Sequence, residues 1–327
     1  MAFDIRPMLA TLVSSVPPND ADYGYEYKWD GYRAIVYVQS GQVRVVSRGL
    51  QDYTRRFPEL QGLAKAAGRP VVLDGEIIAL GESEVSSFQR LQQRSASGSD
   101  QEIMRRAQLA PTGYMVFDLL RLDGRSIMSR TYVDRRARLE ALGLEAQSWS
   151  TPPYQAGGGK DLLEESRQRR MEGIVAKRLA SIYVPGRRTG DWLKIKNHAR
   201  QEFVIVGSTP GAGARSEQLG ALLLAYYDRP GPLGRLVYAG KVGTGFTGAT
   251  LRLLAEKMAP LRRETSPIDI GKPPKNASYV EPVLVAEVEF TEWTTDGTLR
   301  HPSFKGLRDD KNPRDVVRET AAKPPPG

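Results

Sequence analysis

The sequence predicts an α+β protein with two domains and largely antiparallel sheets, and three observations lead to this fold class. The chain has 327 residues, which is too long for one ordinary domain. Predicted strands outnumber predicted helices, and many of the strands read as hairpins rather than as strand–helix–strand units. The pattern of elements changes after the segment KNHAR at 196–200. We therefore predict one domain over 1–200 and a second domain over 201–315.

The first predicted domain contains a hairpin, several further strands and helical runs between them. AIVYVQSGQVRVVSRG predicts two strands around a turn at Ser40 and Gly41. Further strands are predicted in VVLDGEIIAL (71–80), GYMVFDLL (113–120), GIVAKRL (173–179) and DWLKIK (191–196). Helical runs are ELQGLAKAA, SSFQRLQQR, TYVDRRARLEAL and KDLLEESRQRRM. The polar segment from Asp100 to Arg106 is predicted to be a mobile loop.

The second predicted domain has the pattern of a small barrel. Three strands, EFVIVGSTP, ALLLAYYD and LVYAGKVGTG, are joined by turns rich in glycine and proline. One helix, ATLRLLAEKMAPL, and a later strand, LVAEVEFTEW, follow. Such a set within about 110 residues is typical of an OB-type barrel. The ending AAKPPPG predicts a disordered tail over 316–327.

Composition excludes several classes of site and protein. The chain has no cysteine, which excludes disulfides, thiolate zinc sites and cysteine nucleophiles. Only His198 and His301 are present, so a histidine-rich metal site is excluded as well. No apolar run reaches the roughly 18 residues of a membrane span, and the amino terminus MAFDIRPML lacks the pattern of a signal peptide. The expected location is the cytoplasm.

The net charge of +9 is concentrated in the first part of the chain. Residues 1–200 hold 30 basic and 23 acidic side chains, a balance of +7, whereas residues 201–327 hold 17 and 15, a balance of +2. A phosphate-binding surface requires such an excess. Many arginine-rich bacterial proteins are also basic without binding DNA, so charge alone leaves both interpretations open.

The stretch EYKWDGYRA places Lys28 beside a turn at Asp30 and Gly31, with Arg33 following. One interpretation is a solvated strand end with a tight turn; the other is a nucleophilic lysine held over a nucleotide. A lysine attacks phosphorus only as the uncharged amine, although its reference pKa is about 10.4. Nearby cations favour the uncharged form. Lys194 and Lys196 share one strand face and could supply that charge while neutralising a triphosphate.

Two carboxylates and two apolar residues complete the candidate site. Glu76 lies within an apolar strand and Glu172 immediately precedes another, where each is either a salt-bridge partner or a ligand. Together they could hold magnesium, which takes one or two carboxylates plus substrate oxygens. Phe117 could stack on a base and Val175 could form the opposite wall, but both positions also fit a core role.

The ordered series KWDGYR, SRG, LDGEI, FDLL, EGIVAK, WLKIK and RHPSFKGLRDDK resembles the motifs of ATP-dependent DNA ligases, and most closely the ligase module of bacterial non-homologous end-joining ligases. The match runs from about Pro7 to Pro313. KxDGxR alone is shared with capping enzymes and RNA ligases, whereas the full series ending in FKGLRDDK is strongly specific. The resemblance implies a nucleotidyltransferase domain with ATP-grasp-like antiparallel sheets and helices, followed by an OB-fold β-barrel.

The resemblance also implies a role for each site residue. Lys28 would form a phosphoramidate with AMP, and the metal, Mg²⁺ or Mn²⁺, would be shared by Glu76 and Glu172. The other ATP-binding residues that the resemblance implies are Glu26 at the adenine; Arg33 and Arg48 at the ribose and phosphate; Glu76 at the ribose; Phe117 and Val175 on the two sides of the adenine; Lys194 and Lys196 at the α-phosphate, with Arg188 just upstream in the GRRTGDWLK run; and Arg308 and Lys311 at the pyrophosphate, with Asp309 less certain.

The implied enzyme is an ATP-dependent DNA ligase acting in DNA repair or end joining. Its expected partner is duplex DNA with nicks or ends, with a Ku-like end-binding protein as a further partner, and a monomer is expected. About 27 residues precede Lys28, so the helical DNA-binding domain of larger ligases and the fused polymerase and nuclease modules are expected to be absent. The alternatives are an RNA ligase or a capping-type guanylyltransferase of the same superfamily, and a DNA-binding scaffold without catalysis.

Overall fold

The computed structural model describes residues 3–79, 88–96, 98–211 and 219–325. These residues form two compact units: the first runs to Asn197 and resumes at Thr320, and the second runs from His198 to Glu319. The division falls inside the KNHAR segment. Parts of three predicted segments lie outside the described residues, namely Leu80, the pair Ser86 and Ser87, and residues 326–327.

The first unit combines strands with short helices. Its strands are Thr11–Leu12 (β1), Tyr23–Tyr27 (β2), Tyr32–Gln39 (β3), Gln42–Ser47 (β4), Val71–Ala79 (β5), Thr112–Leu122 (β6), Arg125–Ser126 (β7), Trp149–Ser150 (β8), Gln155–Ala156 (β9), Gly173–Arg178 (β10) and Trp192–Lys196 (β11). Its α-helices are Leu63–Ala67 (α1), Phe88–Arg94 (α2), Asp100–Leu109 (α3), Tyr132–Glu140 (α4) and Gly159–Gln168 (α5). Its 3₁₀ turns are Asp20–Asp22, Thr54–Arg56 and Pro58–Gly62.

Two sheets of the first unit confirm the predicted α+β class. One has the strand order β1-β11-β10-β2-β9 and the other has the order β4-β3-β5-β6-β7, with β8 beside β6. All of these pairs are antiparallel except β1 with β11 and β6 with β8. The predicted hairpin is present as β3 and β4, where Ser40 and Gly41 have positive φ angles of 51° and 75°, as a two-residue turn requires.

The two sheets meet through aromatic side chains. Trp192 from the first sheet and Phe117 from the second lie in one buried cluster with Tyr183. The outer face of the first sheet packs on α5, and the outer face of the second packs against the 3₁₀ turns and α1. The inner faces of the two sheets are therefore the place where polar side chains of both can converge.

Helix α3 corrects the loop that was predicted from Asp100 to Arg106. Ser99 forms a capping box: its Oγ accepts a hydrogen bond from the Glu102 amide at 3.3 Å, and its own amide donates to the Glu102 carboxylate at 2.8 Å. These bonds satisfy two amide donors at the helix start. A polar segment with a good cap therefore forms a helix where composition alone predicted none.

A buried ion pair fixes α4 on β6. Both Arg135 and Asp118 are completely buried, and the guanidinium donates from Nε at 2.7 Å and from Nη2 at 2.8 Å to the two carboxylate oxygens. Although burial lowers the pKa of Arg135 when taken alone, the hydrogen bonds and charge of Asp118 raise it overall. The pair holds the helix in a set orientation over the sheet.

Replacing Asp118 with alanine should destabilise the first unit by about 3–5 kcal/mol, because the change leaves a buried guanidinium without its counter-charge. The matched control is Glu164→Ala, which removes an exposed ion pair to Arg167 and should cost under about 1 kcal/mol. Urea unfolding of the two variants measures the difference. Equal midpoints would show that the buried pair does not stabilise the helix–sheet contact.

The second unit is built around one antiparallel sheet and one helix. Its strands are Ala199–Pro210 (β12), Leu219–Tyr227 (β13), Leu236–Val242 (β14), Arg262–Arg263 (β15), Ser278–Phe290 (β16), Glu292–Trp293 (β17), Leu299–Arg300 (β18) and Ser303–Leu307 (β19); the helix is Gly248–Met258 (α6), with 3₁₀ turns at Ala259–Leu261 and Pro313–Asp315. The sheet order is β14-β13-β12-β16-β15, with β19 also paired to β16, and β17 pairs with β18. The strands and the helix follow the predicted order.

Residues 316–325 differ from the predicted disordered tail. Val316 is buried, and its carbonyl accepts a hydrogen bond from the Tyr227 amide at 2.8 Å. Ala322 pairs in parallel with Val13, and its amide donates to the Leu12 carbonyl at 3.0 Å. The proline-rich ending predicted disorder, but backbone pairing along a strand edge does not require apolar side chains.

No helix in the described part of the chain has the length and apolar character that a membrane crossing needs.

Candidate active site

The inner face of the first sheet collects five of the predicted site residues. Across β2, β10 and β11, Glu26, Val175 and Lys194 are Cα partners, so their side chains project from the same face. The next row contains Lys28, whose amide donates to the Gly173 carbonyl at 2.9 Å, and Lys196, the Cα partner of Gly173. The prediction that Lys194 and Lys196 share a face holds in this register.

The nucleophile candidate Lys28 lies against Glu172. Its Nζ is 2.6 Å from Glu172 Oε2, and the other carboxylate oxygen is 3.8 Å from Lys196 Nζ. The side chain of Lys28 is 23% exposed, whereas that of Glu172 is 8% exposed. A single carboxylate thus lies between two ammonium groups, and the one on Lys28 is reachable from solvent.

Glycine in the KWDGYR turn allows the chain to pass close to β5. A Cβ atom at Gly31 would lie 2.1 Å from the carbonyl oxygen of Ile77, which no side chain tolerates. Arg33 then enters β3 as the Cα partner of Glu76 on β5. Gly31 therefore permits the transition from the strand that ends beside Lys28 to the strand that carries Arg33.

Glu26 is held by three residues that the sequence did not point to. Lys177 Nζ lies 2.7 Å from Glu26 Oε2, the Tyr132 hydroxyl donates a short hydrogen bond to Oε1, and an Arg136 nitrogen is 3.9 Å from the same oxygen. Burial lowers the pKa of Lys177, although Glu26 opposes this effect. Burial and the Glu26 charge together raise the pKa of Tyr132. Glu26 is therefore fixed in orientation.

Arg33 forms a bidentate ion pair with Asp74, another residue that the sequence analysis missed. Nε and Nη2 of Arg33 donate to the two carboxylate oxygens at 2.6 and 2.7 Å, and the Tyr183 hydroxyl donates to Asp74 at 2.6 Å. Burial by itself lowers the pKa of Arg33, but the Asp74 charge raises it above its usual range. The guanidinium is thus a permanent cation whose position is set by a buried carboxylate.

The Phe117 ring is in contact with two cations. Arg33 Cζ lies 4.4 Å from the ring centroid and Lys177 Nζ lies 4.3 Å from it. Lys177 is also 4.4 Å from the Trp192 ring. The ring is 9% exposed and belongs to the cluster between the sheets, whereas Val175 is partly exposed. Phe117 is therefore a core residue at the edge of the polar site, and its role at the base stays a prediction.

Three further predicted residues, Arg48, Glu76 and Arg188, lie in the first unit. Arg48 follows β4, and its amide donates to the Arg33 carbonyl at 3.1 Å. Glu76 is partly exposed on β5 and adds to the negative charge that raises the pKa of Arg33. Arg188 is exposed, and its Nη1 donates a short hydrogen bond to the Ala10 carbonyl. The fold thus brings Arg48 and Glu76 beside Arg33.

Arg308 and Lys311 belong to the second unit. Arg308 is nearly buried and donates to Asp310 and to Glu287, each at 2.8 Å. Lys311 Nζ is 3.4 Å from Glu202 Oε1. Both predicted cations are therefore paired with carboxylates of their own unit.

The site residues that the sequence analysis missed differ in how clearly the sequence indicated a polar role for them. Asp74 and Lys177 stand inside the quoted motifs LDGEI and EGIVAK, and a charge within an apolar strand implies a partner. Tyr132 and Tyr183 gave no such local signal, since a tyrosine in an apolar pattern usually packs in the core. Only the folded structure shows that their hydroxyl groups donate hydrogen bonds to Glu26 and Asp74.

Family models match both parts of the chain. The ATP dependent DNA ligase domain matches residues 7–196, and the ATP dependent DNA ligase C terminal region matches residues 215–311. The first model alone covers more than half of the chain. The two matched regions correspond to the two units of the structure.

Curated relatives and a solved structure agree with these models. The multifunctional non-homologous end joining DNA repair protein LigD of Mycobacterium tuberculosis is 42% identical over 320 residues, which are 97% of this chain and 40% of that protein. A DNA ligase of Thermococcus fumicolans is 32% identical, over 95% of this chain and 57% of that protein. The chain thus spans about two fifths of the length of its LigD relatives.

The solved structure entitled mycobacterial DNA ligase D complexed with ATP and MES has a TM-score of 0.70 and 41% identity to this chain. The match covers 98% of this chain and 100% of that one, so it extends across both units. Family models, relatives and fold all lead to the same assignment. The chain belongs to the ATP-dependent DNA ligase family.

Proposed function

We propose that the chain joins 5′-phosphate and 3′-hydroxyl ends in duplex DNA through a covalent intermediate on Lys28. In the first step, the Lys28 amine attacks the α-phosphorus of ATP, the bond to pyrophosphate breaks, and the nitrogen loses a proton. AMP then passes to the 5′-phosphate of DNA, and the 3′-hydroxyl displaces it. All three steps are phosphoryl transfers, which depend on positioning and on neutralised charge.

The position of Lys28 carries this proposal. Its Nζ lies at the solvent-reachable end of a sheet face that also carries Lys194 and Lys196. A triphosphate on this face would meet three ammonium groups with Glu172 between two of them. This arrangement is the one that attack on a polyanion requires, since the cations offset the repulsion between phosphate and nucleophile.

For the adenine we propose contacts to Glu26 and Val175. These two residues are Cα partners, and they lie in the row next to the one that contains Lys28. The Glu26 carboxylate is oriented by Lys177 and Tyr132, and it could accept a hydrogen bond from the exocyclic amino group. Val175 lies between Glu26 and Lys194 and offers an apolar surface. Stacking on Phe117 would replace one of the two cation contacts that the ring now makes.

The two side chains that we propose for a divalent cation are both carboxylates, which suit a hard cation. Glu172 and Glu76 would hold magnesium or manganese together with phosphate oxygens, since magnesium takes one or two carboxylates and completes its shell with substrate and water. Among the described residues, no group of three or more metal-ligating side chains is present, and in our proposal the triphosphate supplies the remaining ligands. When bound, the cation would neutralise phosphate charge. Glu172 would exchange its contact with Lys28 for the metal, which releases the nucleophile.

The broader role that we propose is end joining in DNA repair. The LigD relatives are named for non-homologous end joining, although the chain spans only part of their length. A basic excess of +7 over residues 1–200 suits duplex DNA with nicks or ends. A Ku-like end-binding protein as partner, a monomeric state and a cytoplasmic location complete the proposal.

Incubation with ATP labelled in the α-phosphate tests the proposal, followed by addition of nicked DNA, nicked RNA–DNA hybrids or broken duplex ends. We expect covalent label on the protein and sealing of nicked DNA. A protein that takes up no label would be a binding scaffold. Sealing only of substrates with RNA strands would identify an RNA ligase instead.

Replacing Arg308 and Lys311 with alanine should slow adenylation at least tenfold more than it slows sealing of nicks that already carry AMP. The reason is that these cations are proposed to orient the pyrophosphate, which leaves in the first step only. Single-turnover rates of the two steps measure the effect, with the exposed Lys257→Ala on α6 as control. Equal losses in both steps would mean that the two residues serve the fold or the DNA contact.

A further inference from the structure

A line of four nearly buried charges in the second unit contains Arg308. Arg200 Nε lies 2.9 Å from Glu287 Oε1, and Arg308 Nη1 lies 2.8 Å from Glu287 Oε2. On the other side, Arg308 donates from Nε and Nη2 to the two oxygens of Asp310, both at 2.8 Å. One carboxylate therefore bridges two arginines, and one guanidinium bridges two carboxylates.

Burial of these four charges has a free-energy cost that requires them to be closely paired. The side chains of Glu287 and Asp310 are 7% and 1% exposed, and that of Arg308 is 11% exposed. Burial lowers the pKa of Arg308 when taken alone, but the two carboxylates raise it well above its usual value. Four charges are withdrawn from water together, at a cost that only close pairing can offset.

The backbone fixes both ends of the contact between Glu287 and Arg308. Glu287 lies within β16, where it is the Cα partner of Glu202 on β12 and of Gly306 on β19. The Arg308 amide donates to the Val285 carbonyl at 2.7 Å, two residues before Glu287 on the same strand. The head group and the main chain of Arg308 are therefore both held by β16.

We propose that Glu287 is a positioning residue for adenylation, which acts by holding the Arg308 guanidinium in the orientation that meets the leaving phosphates. This inference rests on the proposed function of Arg308. A long arginine side chain loses much conformational freedom when it binds an anion, and a head group that is already fixed loses less. Small displacements of a positioning group are costly in phosphoryl transfer, because the step depends on alignment.

Glu287→Gln tests the inference, because the amide keeps the shape of the side chain but removes the charge that orients both arginines. We expect adenylation at saturating ATP to slow on the order of 10- to 100-fold, and sealing of nicks that already carry AMP to change less than about twofold. The matched control is Glu289→Gln, two residues along the same strand, whose carboxylate pairs with Lys305 at 3.2 Å. It should leave both steps unchanged.

A double-mutant cycle with Arg308→Ala separates positioning from a purely structural role. If Glu287 acts through Arg308, adding Glu287→Gln to Arg308→Ala should slow adenylation no further. A further loss in that background, or an equal loss in adenylation and sealing, would overturn the inference. Thermal melting of each protein shows whether it is folded, and Glu287→Asp, which keeps the charge with a shorter reach, replaces the glutamine variant if that one does not fold.

Failure of this inference is distinguishable from failure of the proposed function. If the unmodified protein takes up no AMP, the proposed function is wrong and the comparison of variants has no basis. If the unmodified protein is adenylated and Glu287→Gln is adenylated at the same rate, only the role of Glu287 is refuted.

Discussion

Replacement of Lys28 with alanine should abolish attachment of AMP and leave the first unit folded. Lysine is the only nitrogen nucleophile in the KWDGYR turn, and the chain has no cysteine that could act in its place. Mass measurement of the intact protein after incubation with ATP and magnesium checks the loss, and circular dichroism checks the fold. A variant that still gains the mass of AMP would move the attachment site to another residue.

Two further variants separate the chemistry of Lys28 from its ion pair. Lys28→Arg keeps a cation beside Glu172, which now accepts a bond from Lys28 Nζ at 2.6 Å, but a guanidinium stays protonated and cannot attack phosphorus. It should therefore be as inactive as the alanine variant while it retains the stability of the pair. The exposed Lys160→Ala on α5 is the control for loss of a lysine and should remain fully active.

Replacement of Glu172 with glutamine should slow adenylation by at least about 10²-fold and shift the magnesium titration to higher concentration. Glutamine retains the size of the side chain and can still accept a hydrogen bond, so the difference measures the carboxylate charge. That charge has two roles in our proposal, as a metal ligand and as the group between Lys28 and Lys196. Rates over a magnesium series measure the effect.

The two roles of Glu172 predict opposite results, which makes the variant informative. If Glu172 did nothing except bind Lys28, its neutralisation would release Lys28 for attack and adenylation would become faster. If it binds metal, adenylation becomes slower and Glu76→Gln should shift the same magnesium titration. Glu164→Gln on the exposed face of α5 is the control. Unchanged titrations in both site variants would place the metal elsewhere.

Individual strands and helix ends could be predicted from the sequence, because they depend on neighbouring residues. Short runs of apolar residues bounded by turns predicted β3, β4, β6 and β11. The spacing of two residues placed Lys194 and Lys196 on one face of β11, because successive side chains of a strand point to opposite faces. The capping box at Ser99 and Glu102 was an equally local signal for α3, and the polar composition of that segment obscured it.

By itself, the sequence determined the α+β class, the order of the elements, the change of pattern at KNHAR and the candidate nucleophile, since each depends on neighbours along the chain. Only the tertiary structure decided which opposite charge each site residue meets. Asp74 is 41 residues from Arg33, Lys177 is 151 from Glu26, and Glu287 is 21 from Arg308. These pairs follow from strand register and from the packing of one sheet on another. A buried charge requires a partner, and its identity is fixed only when distant strands are brought side by side.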